Sequence, residues 1–181
     1  MSGFQRLAAR HFSSSWFECP SLPDGTRVML RPLGPGDALL LRESVLQLSE
    51  RSRYLRFHGP KTELSDDELR QLTDIEGEER VALGAFSGMP RQLVAVGHFI
   101  RRGEAPDAAA FAMAVVDPFQ GRGLGALLLA RLRLAALERG IARFTGEVLD
   151  ENGPMLGLLA KLHARLGLPS WGVRSVELPL S

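Results

Sequence analysis

A glycine-rich turn joins an apolar segment to a leucine-rich segment near residue 120 of this 181-residue chain. The apolar run at residues 108–116 has the length and composition of a central strand, and residues 123–139 have those of a helix that ends at Gly140. Glycines in the turn leave the first backbone amides of the helix open, at the positive end of the helix dipole. The pattern therefore predicts a strand, turn and helix that bind an anion, for which a diphosphate is the natural ligand.

Two known phosphate-binding motifs compete for this turn. A Walker A loop ends in Gly-Lys-Ser/Thr, whereas Gly125 is followed by Ala126, so that motif is excluded. The Rossmann fingerprint G-x-G-x-x-A is satisfied by Gly121, Gly123 and Ala126. However, residues 126–181 are too few for the further strand and helix units of a dinucleotide-binding domain. A Rossmann-type site therefore stays an alternative to a different kind of phosphate site.

Composition limits the classes of partner. The chain has 45% hydrophobic residues, which is enough for one globular domain, and a formal net charge of +1. No global positive charge directs it to nucleic acid or to an anionic membrane, and no apolar run is long enough to cross a bilayer. Cys19 is the single cysteine, which excludes an internal disulfide and a cysteine metal cluster. We expect a cytoplasmic protein without a metal site.

The N-terminal segment has two interpretations. Residues 1–17 contain Arg6, Arg10 and three serines but no acidic residue, as organelle transit peptides do. The alternative is an arm that packs on the domain or on a partner. We expect residues 1–22 to be such a leader or arm and residues 23–181 to be the folded domain.

Alternation and turn signals predict the other elements. Six strands are predicted, at residues 26–32, 81–86, 92–101, 108–116, 141–149 and 171–178. Helices are predicted at 35–48, after the capping box of Ser65 and Glu68, at 123–139, and from Asn152 to residue 166 with Gly167 as its stop. The helical leucines that we expect in the core are Leu124, Leu127, Leu128, Leu132 and Leu134.

The segment VVDPFQGRGLGALLLARLRLAALERGIARFTGEVLDENGPMLGLLAKL resembles the acyl-CoA-binding core of the GNAT superfamily of N-acetyltransferases. The resemblance rests on the signature Q/R-x-x-G-x-G/A at residues 120–125, followed by a strand and by a helix that begins at Asn152. Upstream, SERSRYLRFHGPKTELSDDELRQLTD is similar to the GNAT domain of bacterial protein lysine acetyltransferases. The likeness covers about residues 23–178.

This resemblance implies an α/β GNAT fold, with a mixed and mostly antiparallel sheet that parts between its fourth and fifth strands. The pantetheine arm of acetyl-CoA would lie in the opening, against the backbone of residues 113–116. Asn152 would border the cofactor arm, or it is only a helix cap. Arg122 would add a charged donor for the diphosphate. The implied cofactor-binding residues are Val115, Val116, Gln120, Gly121, Arg122, Gly123, Leu124, Gly125, Ala126 and Asn152.

The implied reaction is direct attack of a primary amine on the acetyl thioester in a ternary complex, with coenzyme A leaving. We expect a protein lysine as the substrate. A lysine amine has a pKa of about 10.4, so freeing it at neutral pH costs about 4.6 kcal/mol. A general base or a dehydrated pocket must supply this energy. With Cys19 as the single cysteine, a covalent cysteine route is not expected.

The chain departs from its relatives at two positions. Where the lysine acetyltransferases carry a glutamate on the fourth strand, this chain has Ala110, and Leu159 stands where many GNAT enzymes carry a tyrosine acid. Three interpretations remain open. Glu147, which we prefer, or His98 removes the proton; the substrate is an amine of lower pKa; or the domain binds acyl-CoA without turnover, as a sensor or regulatory partner.

Three arginines, Arg51, Arg53 and Arg56, surround Tyr54 in the region where GNAT proteins build the wall of the acceptor site. They either bind an acidic substrate or protein surface, or form a solvated helical face whose aliphatic stems pack on the core.

Overall fold

One seven-stranded sheet runs through the described part of the chain, which in this computed structural model is residues 11–74, 79–101, 103 and 105–181. The strands are β1 (Met29–Pro32), β2 (Arg80–Ser87), β3 (Gln92–Arg101), β4 (Ala108–Val115), β5 (Arg143–Leu149), β6 (Arg165–Leu166) and β7 (Val173–Pro179). The helices are α1 (Ala38–Leu46), α2 (Glu50–Phe57), α3 (Asp66–Thr73), α4 (Leu124–Leu137) and α5 (Gly153–Lys161). Across the sheet the strand order is β1-β2-β3-β4-β5-β7-β6.

The first four strands are antiparallel neighbours in chain order. β2 and β3 form the predicted hairpin, in which Gly84 pairs with Val96. β4 lies in the middle of the seven strands, which confirms the central position that its apolar composition predicted. β3 therefore pairs with one edge of β4, and β5 lies at the other edge.

The sheet parts between β4 and β5. These two strands are parallel and pair over three positions, of which Ala110 with Thr145 is the last. β4 continues to Val115 and β5 continues to Leu149, where β5 stays paired with β7 instead. The predicted mixed sheet that opens between its fourth and fifth strands is therefore confirmed.

Hydrophobic residues cover both faces of the sheet. In β2, Leu83 belongs to the cluster that includes helix α4, whereas Ala82 belongs to the cluster of α1 and α3. This alternation follows the two-residue period of a strand. Of the leucines expected in the core, Leu124, Leu128 and Leu132 are fully buried and Leu127 is partly buried. Leu134 is 49% exposed, so its prediction was wrong.

The predicted last helix was too long. α5 ends at Lys161, because His163 adopts a left-handed backbone conformation (φ 57°) that a helix does not continue through. Residues 165 and 166 then form β6, which pairs with β7. Gly167 therefore lies after a short edge strand and not at the end of a helix.

Other predicted boundaries also shift. The helix predicted at 35–48 begins as a 3-10 turn, Pro35–Asp37, and α1 ends at Leu46. The separate helix α2 was not predicted as an element; its signal is Ser49, whose side chain accepts from the amide of Ser52 at 3.1 Å. β1 begins at residue 29 instead of 26, β5 at 143 instead of 141, and β7 at 173 instead of 171.

The described part of the N-terminal segment packs on the domain. Phe12 is 3% exposed, its ring lies 4.5 Å from the ring of Trp16, and its amide donates to Glu138 at 3.1 Å. Arg131 of α4 also donates to Glu18 at 2.6 Å. These contacts favour the docked-arm interpretation, while Arg6 and Arg10 lie outside the described residues. The division at residue 22 stays a prediction. None of the described helices is long and apolar enough to span a membrane.

If the arm is part of the folded unit, Phe12→Ala lowers the free energy of unfolding by about 3 to 5 kcal/mol, because a buried aromatic ring leaves a cavity. The matched control Phe17→Ala removes a ring that is 65% exposed and changes it by less than about 0.5 kcal/mol. Urea unfolding of both variants measures the difference. A loss of stability in Phe12→Ala as small as that in Phe17→Ala would show that the packing of the arm contributes nothing to the fold.

Candidate functional site

A cleft of about 670 Å³ occupies the gap between β4 and β5. Its walls come from β4, β5, the glycine turn with the start of α4, the first half of α5, and one side of α2. A cleft of this volume is in the range that holds a cofactor-sized ligand, roughly 300 to 1,000 Å³. The gap in strand pairing therefore leaves a cavity large enough for such a ligand.

Backbone groups of β4 point into the cleft. The amide of Val116 donates to the carbonyl of Val94 in the neighbouring chain segment at 2.9 Å. Residues of an antiparallel strand alternate between bonding to one neighbour and pointing away from it. In the register of β3 and β4, Met113 and Val115 are therefore the positions whose N–H and C=O groups face the gap. Both residues line the cleft.

The glycine turn closes one end of the cleft. Gly121 and Gly123 have φ angles of 70° and 86°, in the left-handed region that glycine adopts without strain. Gly123 is the N-cap residue of α4, so the amides of the first helical turn have no carbonyl one turn earlier to bond. Gly125 and Ala126, in that first turn, line the cleft. The predicted strand, turn and helix are present, and the helix N-terminus opens onto the cavity.

Asp117 connects the glycine turn to α2. Its carboxylate accepts hydrogen bonds from the Ser49 amide at 2.7 Å, the Ser52 hydroxyl at 2.5 Å and the Gln120 side-chain amide at 3.1 Å. Burial raises the pKa of Asp117, but the hydrogen bonds from the two serines outweigh it and hold the pKa below its ordinary value. Asp117 was not predicted as a site residue, because its two serine partners lie 65 or more positions away in the chain.

Seven of the ten predicted cofactor-binding residues line the cleft, namely Val115, Gln120, Gly121, Gly123, Gly125, Ala126 and Asn152. Val116 and Leu124 are buried in the core, with 3% and 0% of their surface exposed. Leu124 still contributes an amide to the first turn of α4. These assignments stay predictions, since contact with a cavity does not identify its ligand.

The guanidinium of Arg122 lies away from the cleft. Its Nε donates to Asp24 Oδ2 at 2.5 Å, and its Nη2 donates to the hydroxyl of Thr26. The hydrogen bond from Arg122 is the largest of the causes that lower the pKa of Asp24 to about 2. The prediction that Arg122 binds a diphosphate therefore requires the guanidinium to leave Asp24.

Asn152 fulfils one of its two predicted roles in this structure. Its Oδ1 accepts from the Met155 amide at 3.2 Å, which makes it the N-cap of α5. The cap uses only Oδ1, so the amide nitrogen of the same side chain is not needed for it. Because Asn152 also lines the cleft, the cap and a contact with a ligand are compatible.

Three ionisable side chains line the cleft in the described part of the chain: Arg56, His58 and Glu147. Glu147 is exposed and lies on β5, two residues beyond the last pair with β4. The sequence analysis missed His58, which is the left-handed C-cap residue of α2 (φ 56°). Glu147 is therefore the carboxylate in a position to act on a bound molecule.

The two residues that depart from the expected catalytic pattern lie at the fork of the sheet and in the core. Ala110 occupies the last position paired with β5, so a methyl group stands at the point where the strands part. Leu159 is fully buried in the core and offers no hydroxyl to the cleft.

His98 lies at a smaller cavity of about 40 Å³ next to the cleft. Burial, and then the charge of Arg56, lower the pKa of His98 to about 3. His98 is not among the residues that line the cleft, whereas Glu147 is. The structure therefore brings Glu147, and not His98, to the wall of the cleft.

A family model described as the acetyltransferase (GNAT) family matches residues 43–164, which include α2, β4, the glycine turn, β5 and α5. The chain belongs to the acetyltransferase (GNAT) family. The predicted family is confirmed, and the mixed, mostly antiparallel sheet excludes the Rossmann alternative, which needs a doubly wound parallel sheet.

This GNAT chain is similar to individual proteins that include two acetyltransferases and one solved GNAT domain. It is 29% identical over 138 residues to acetyltransferase Pat of Mycolicibacterium smegmatis, across 75% of this chain and 40% of that protein. It is 34% identical over 128 residues to acetyltransferase PA5475 of Pseudomonas aeruginosa, across 69% of this chain and 67% of that protein. The solved GNAT domain of S. lividans PAT superposes with a TM-score of 0.83 at 32% identity, covering 91% of this chain and 97% of that one. The chain thus spans less than half of Pat and nearly all of the PAT GNAT domain.

The low pKa of His98 predicts a loss of stability in acid. In the unfolded chain His98 binds a proton below pH 6.5, whereas in the folded chain it stays neutral until the pH falls to about 3. Stability is therefore lost as the pH falls from 6.5 toward 3. We expect this group alone to lower the free energy of unfolding by about 2 kcal/mol between pH 7 and pH 5.

Urea unfolding at these two pH values measures the loss, and His98→Gln should remove that part of it. His163→Asn is the control, because it removes an exposed histidine and asparagine tolerates the left-handed backbone there. A pH dependence that is the same in wild type and in His98→Gln would contradict the expectation.

Proposed function

We propose that this GNAT chain binds acetyl-CoA in the cleft between β4 and β5 and transfers the acetyl group to a primary amine in a ternary complex. The observation that carries the proposal is that the parted strands and the open N-terminus of α4 meet in one cavity. Acetyltransferases of this family take the acetyl group from acetyl-CoA, and the named relatives are acetyltransferases. A protein lysine is the acceptor that we favour, because the upstream segment resembles that of bacterial protein lysine acetyltransferases.

The cofactor would use two sets of backbone donors. The amides of the glycine turn and of the first turn of α4 suit a diphosphate, because several N–H groups converge there with the helix dipole. The amide-rich pantetheine arm suits the free N–H and C=O groups of Met113 and Val115, which continue the sheet pattern. The side-chain amide of Gln120 already donates to the Val115 carbonyl at 2.9 Å, so that acceptor is shared. Asn152 lies on the opposite wall of the same cleft.

The chemistry needs a group that takes the proton of the acceptor ammonium. We assign this role to Glu147, the carboxylate among the described residues that line the cleft. Once the amine is neutral, its lone pair attacks the thioester carbonyl carbon. The C–S bond would then break as the amide forms, and the proton that the attacking nitrogen loses would go to the departing thiolate of coenzyme A. A cytoplasmic location, and the absence of nucleic-acid and membrane partners, stay predictions from the composition.

A second candidate is an acyl-CoA-binding domain without turnover, which acts as a sensor or regulatory partner. The specific observation in its favour is Ala110 at the fork of the sheet, where the resembling enzymes carry a glutamate. Leu159, fully buried, likewise supplies no acid for the departing thiolate. Binding and turnover must therefore be measured separately.

Acetyl-CoA should raise the melting temperature of the chain, and NAD should not, because RT ln(1 + [L]/Kd) adds about 2.7 kcal/mol at a hundredfold excess of ligand over Kd. Ala126→Glu should abolish the shift, since its carboxylate faces the diphosphate site. An acidic side chain in the first turn does not oppose helix formation. The matched control is Ala130→Glu, an exposed position on the same helix outside the cleft lining, which should keep the shift. Equal shifts in both variants would show that the cofactor lies elsewhere.

Release of the coenzyme A thiol, with lysine-containing proteins and peptides as acceptors, measures turnover. Glu147→Gln should lower kcat by about a hundredfold or more without changing the acetyl-CoA thermal shift, which is the scale of a lost general base. Glu43→Gln, an exposed glutamate on α1, is the control and should have normal kcat. Ala110→Glu restores a carboxylate at the fork and should raise kcat. A thermal shift without thiol release in any of these forms would favour the sensor.

A further inference from the structure

The three arginines of α2 have different surroundings. Arg51 is 63% exposed and pairs with Glu151 at 3.2 Å. Arg53 is partly buried, and its charge acts on Asp117. Arg56 lines both the cleft and the small cavity that holds His98. The three arginines therefore do not share one role. Neither the binding of an acidic partner nor a solvated helical face describes all of them.

Arg56 is partly exposed on the wall of the cleft and has no acceptor for its donors. Burial lowers the pKa of its guanidinium, and the charge of Glu68 opposes that effect. None of the hydrogen bonds and ion pairs among the described residues involves Arg56, whose closest recorded partner is the ring of Phe57, 4.9 Å from its Cζ. A cation over an aromatic face is stabilised but leaves its N–H groups unpaired. A guanidinium that faces the cleft without a partner is able to bind an anion that enters the cleft.

The nearby acid does not fill this need. Both oxygens of Glu68 accept from Lys61 Nζ, at 2.6 and 2.7 Å, and one also accepts from the Ser65 amide at 2.8 Å. Glu68 is thus neutralised by another cation and committed to the cap of α3. The diphosphate of the cofactor is assigned to the glycine turn, on a different wall of the cleft from Arg56. The acceptor substrate is therefore the anion that we consider for Arg56.

We propose that Arg56 binds a carboxylate of the acceptor, so that the substrate is an amine bearing a carboxylate within reach of that amine. This inference rests on the proposed function, since it names the substrate class of the same cleft. The planar guanidinium matches a carboxylate through two parallel hydrogen bonds, which fixes orientation as well as charge. The carboxylate belongs either to a free amino acid or to an acidic residue beside a lysine in a polypeptide; the recognising chemistry is the same.

The position of Arg56 also bears on the missing glutamate at residue 110. A cation beside an amine disfavours the ammonium form. The structure shows this effect on His98, whose pKa the charge of Arg56 helps to lower. In the complex, however, the substrate carboxylate would neutralise Arg56 and itself favour the ammonium form, so Glu147 would still have to take the proton.

Isothermal titration of the full chain loaded with coenzyme A tests the proposal without requiring turnover. The probes are two matched pairs: lysine against lysinamide, and a lysine peptide flanked by glutamates against the same peptide flanked by glutamines. The carboxylate-bearing member of one pair should bind about tenfold more tightly, which is the scale of a charge-assisted hydrogen bond. The pair that shows the preference identifies the source of the carboxylate.

In Arg56→Gln this preference should disappear while coenzyme A affinity is unchanged, and Arg56→Lys should keep part of it. Arg42→Gln removes the same charge from an exposed site on α1 and should keep all of it. Equal binding of both members of both pairs by the wild-type chain overturns the proposal, whatever the variants do. Preferential binding without thiol release would uphold Arg56 and overturn the proposed catalysis, whereas thiol release without preference would do the reverse.

Discussion

The end of pairing between β4 and β5 is the constraint on which the rest of the structure depends. Two strands that stay in register satisfy each other's backbone groups, whereas strands that part leave those groups to other partners. Beyond Ala110 and Thr145, β5 is paired on its far side with β7, while β4 has its inner edge open. The Gln120 side chain takes up one carbonyl, at Val115. The other outward-facing backbone groups of that edge, at Met113 and Val115, face the cleft.

The glycine turn and α2 are held in register with this edge by side chains, not by strand pairing. Asp117 accepts hydrogen bonds from Ser49 and Ser52 at the start of α2 and from Gln120 in the glycine turn. A single carboxylate therefore positions α2 relative to the start of α4. Because these hydrogen bonds favour the ionised form, the connection is present at neutral pH. α2 and the glycine turn are therefore linked through Asp117, a residue to which we assign no catalytic role.

Local signals in the sequence were sufficient for the central strand, the glycine turn, α4 and the β2–β3 hairpin, because periodicity and turn residues act over a few positions. Local signals were insufficient where a residue that is distant in the chain determines the local structure. β6 exists only through pairing with β7, and the sequence there continued a helical pattern. The ion pair of Arg122 with Asp24, 98 positions away, has no local signal in the sequence, and the predicted phosphate contact of Arg122 stays a prediction. The lining of the cleft by His58 also depends on where α2 lies on the sheet, which no local pattern states.

The charge distribution in the cleft links the absent glutamate at residue 110 to Arg56 on α2. In an acetyltransferase with a carboxylate at the fork, an ammonium acceptor is attracted there and loses its proton to that group. Here a methyl group, Ala110, stands at the fork, and a guanidinium lies on the α2 wall. Such a wall repels an acceptor that is only cationic and attracts one that also carries a negative charge. If Arg56 holds the acceptor carboxylate as proposed, this wall selects the acceptor by its charge, while removal of the ammonium proton still requires a base such as Glu147.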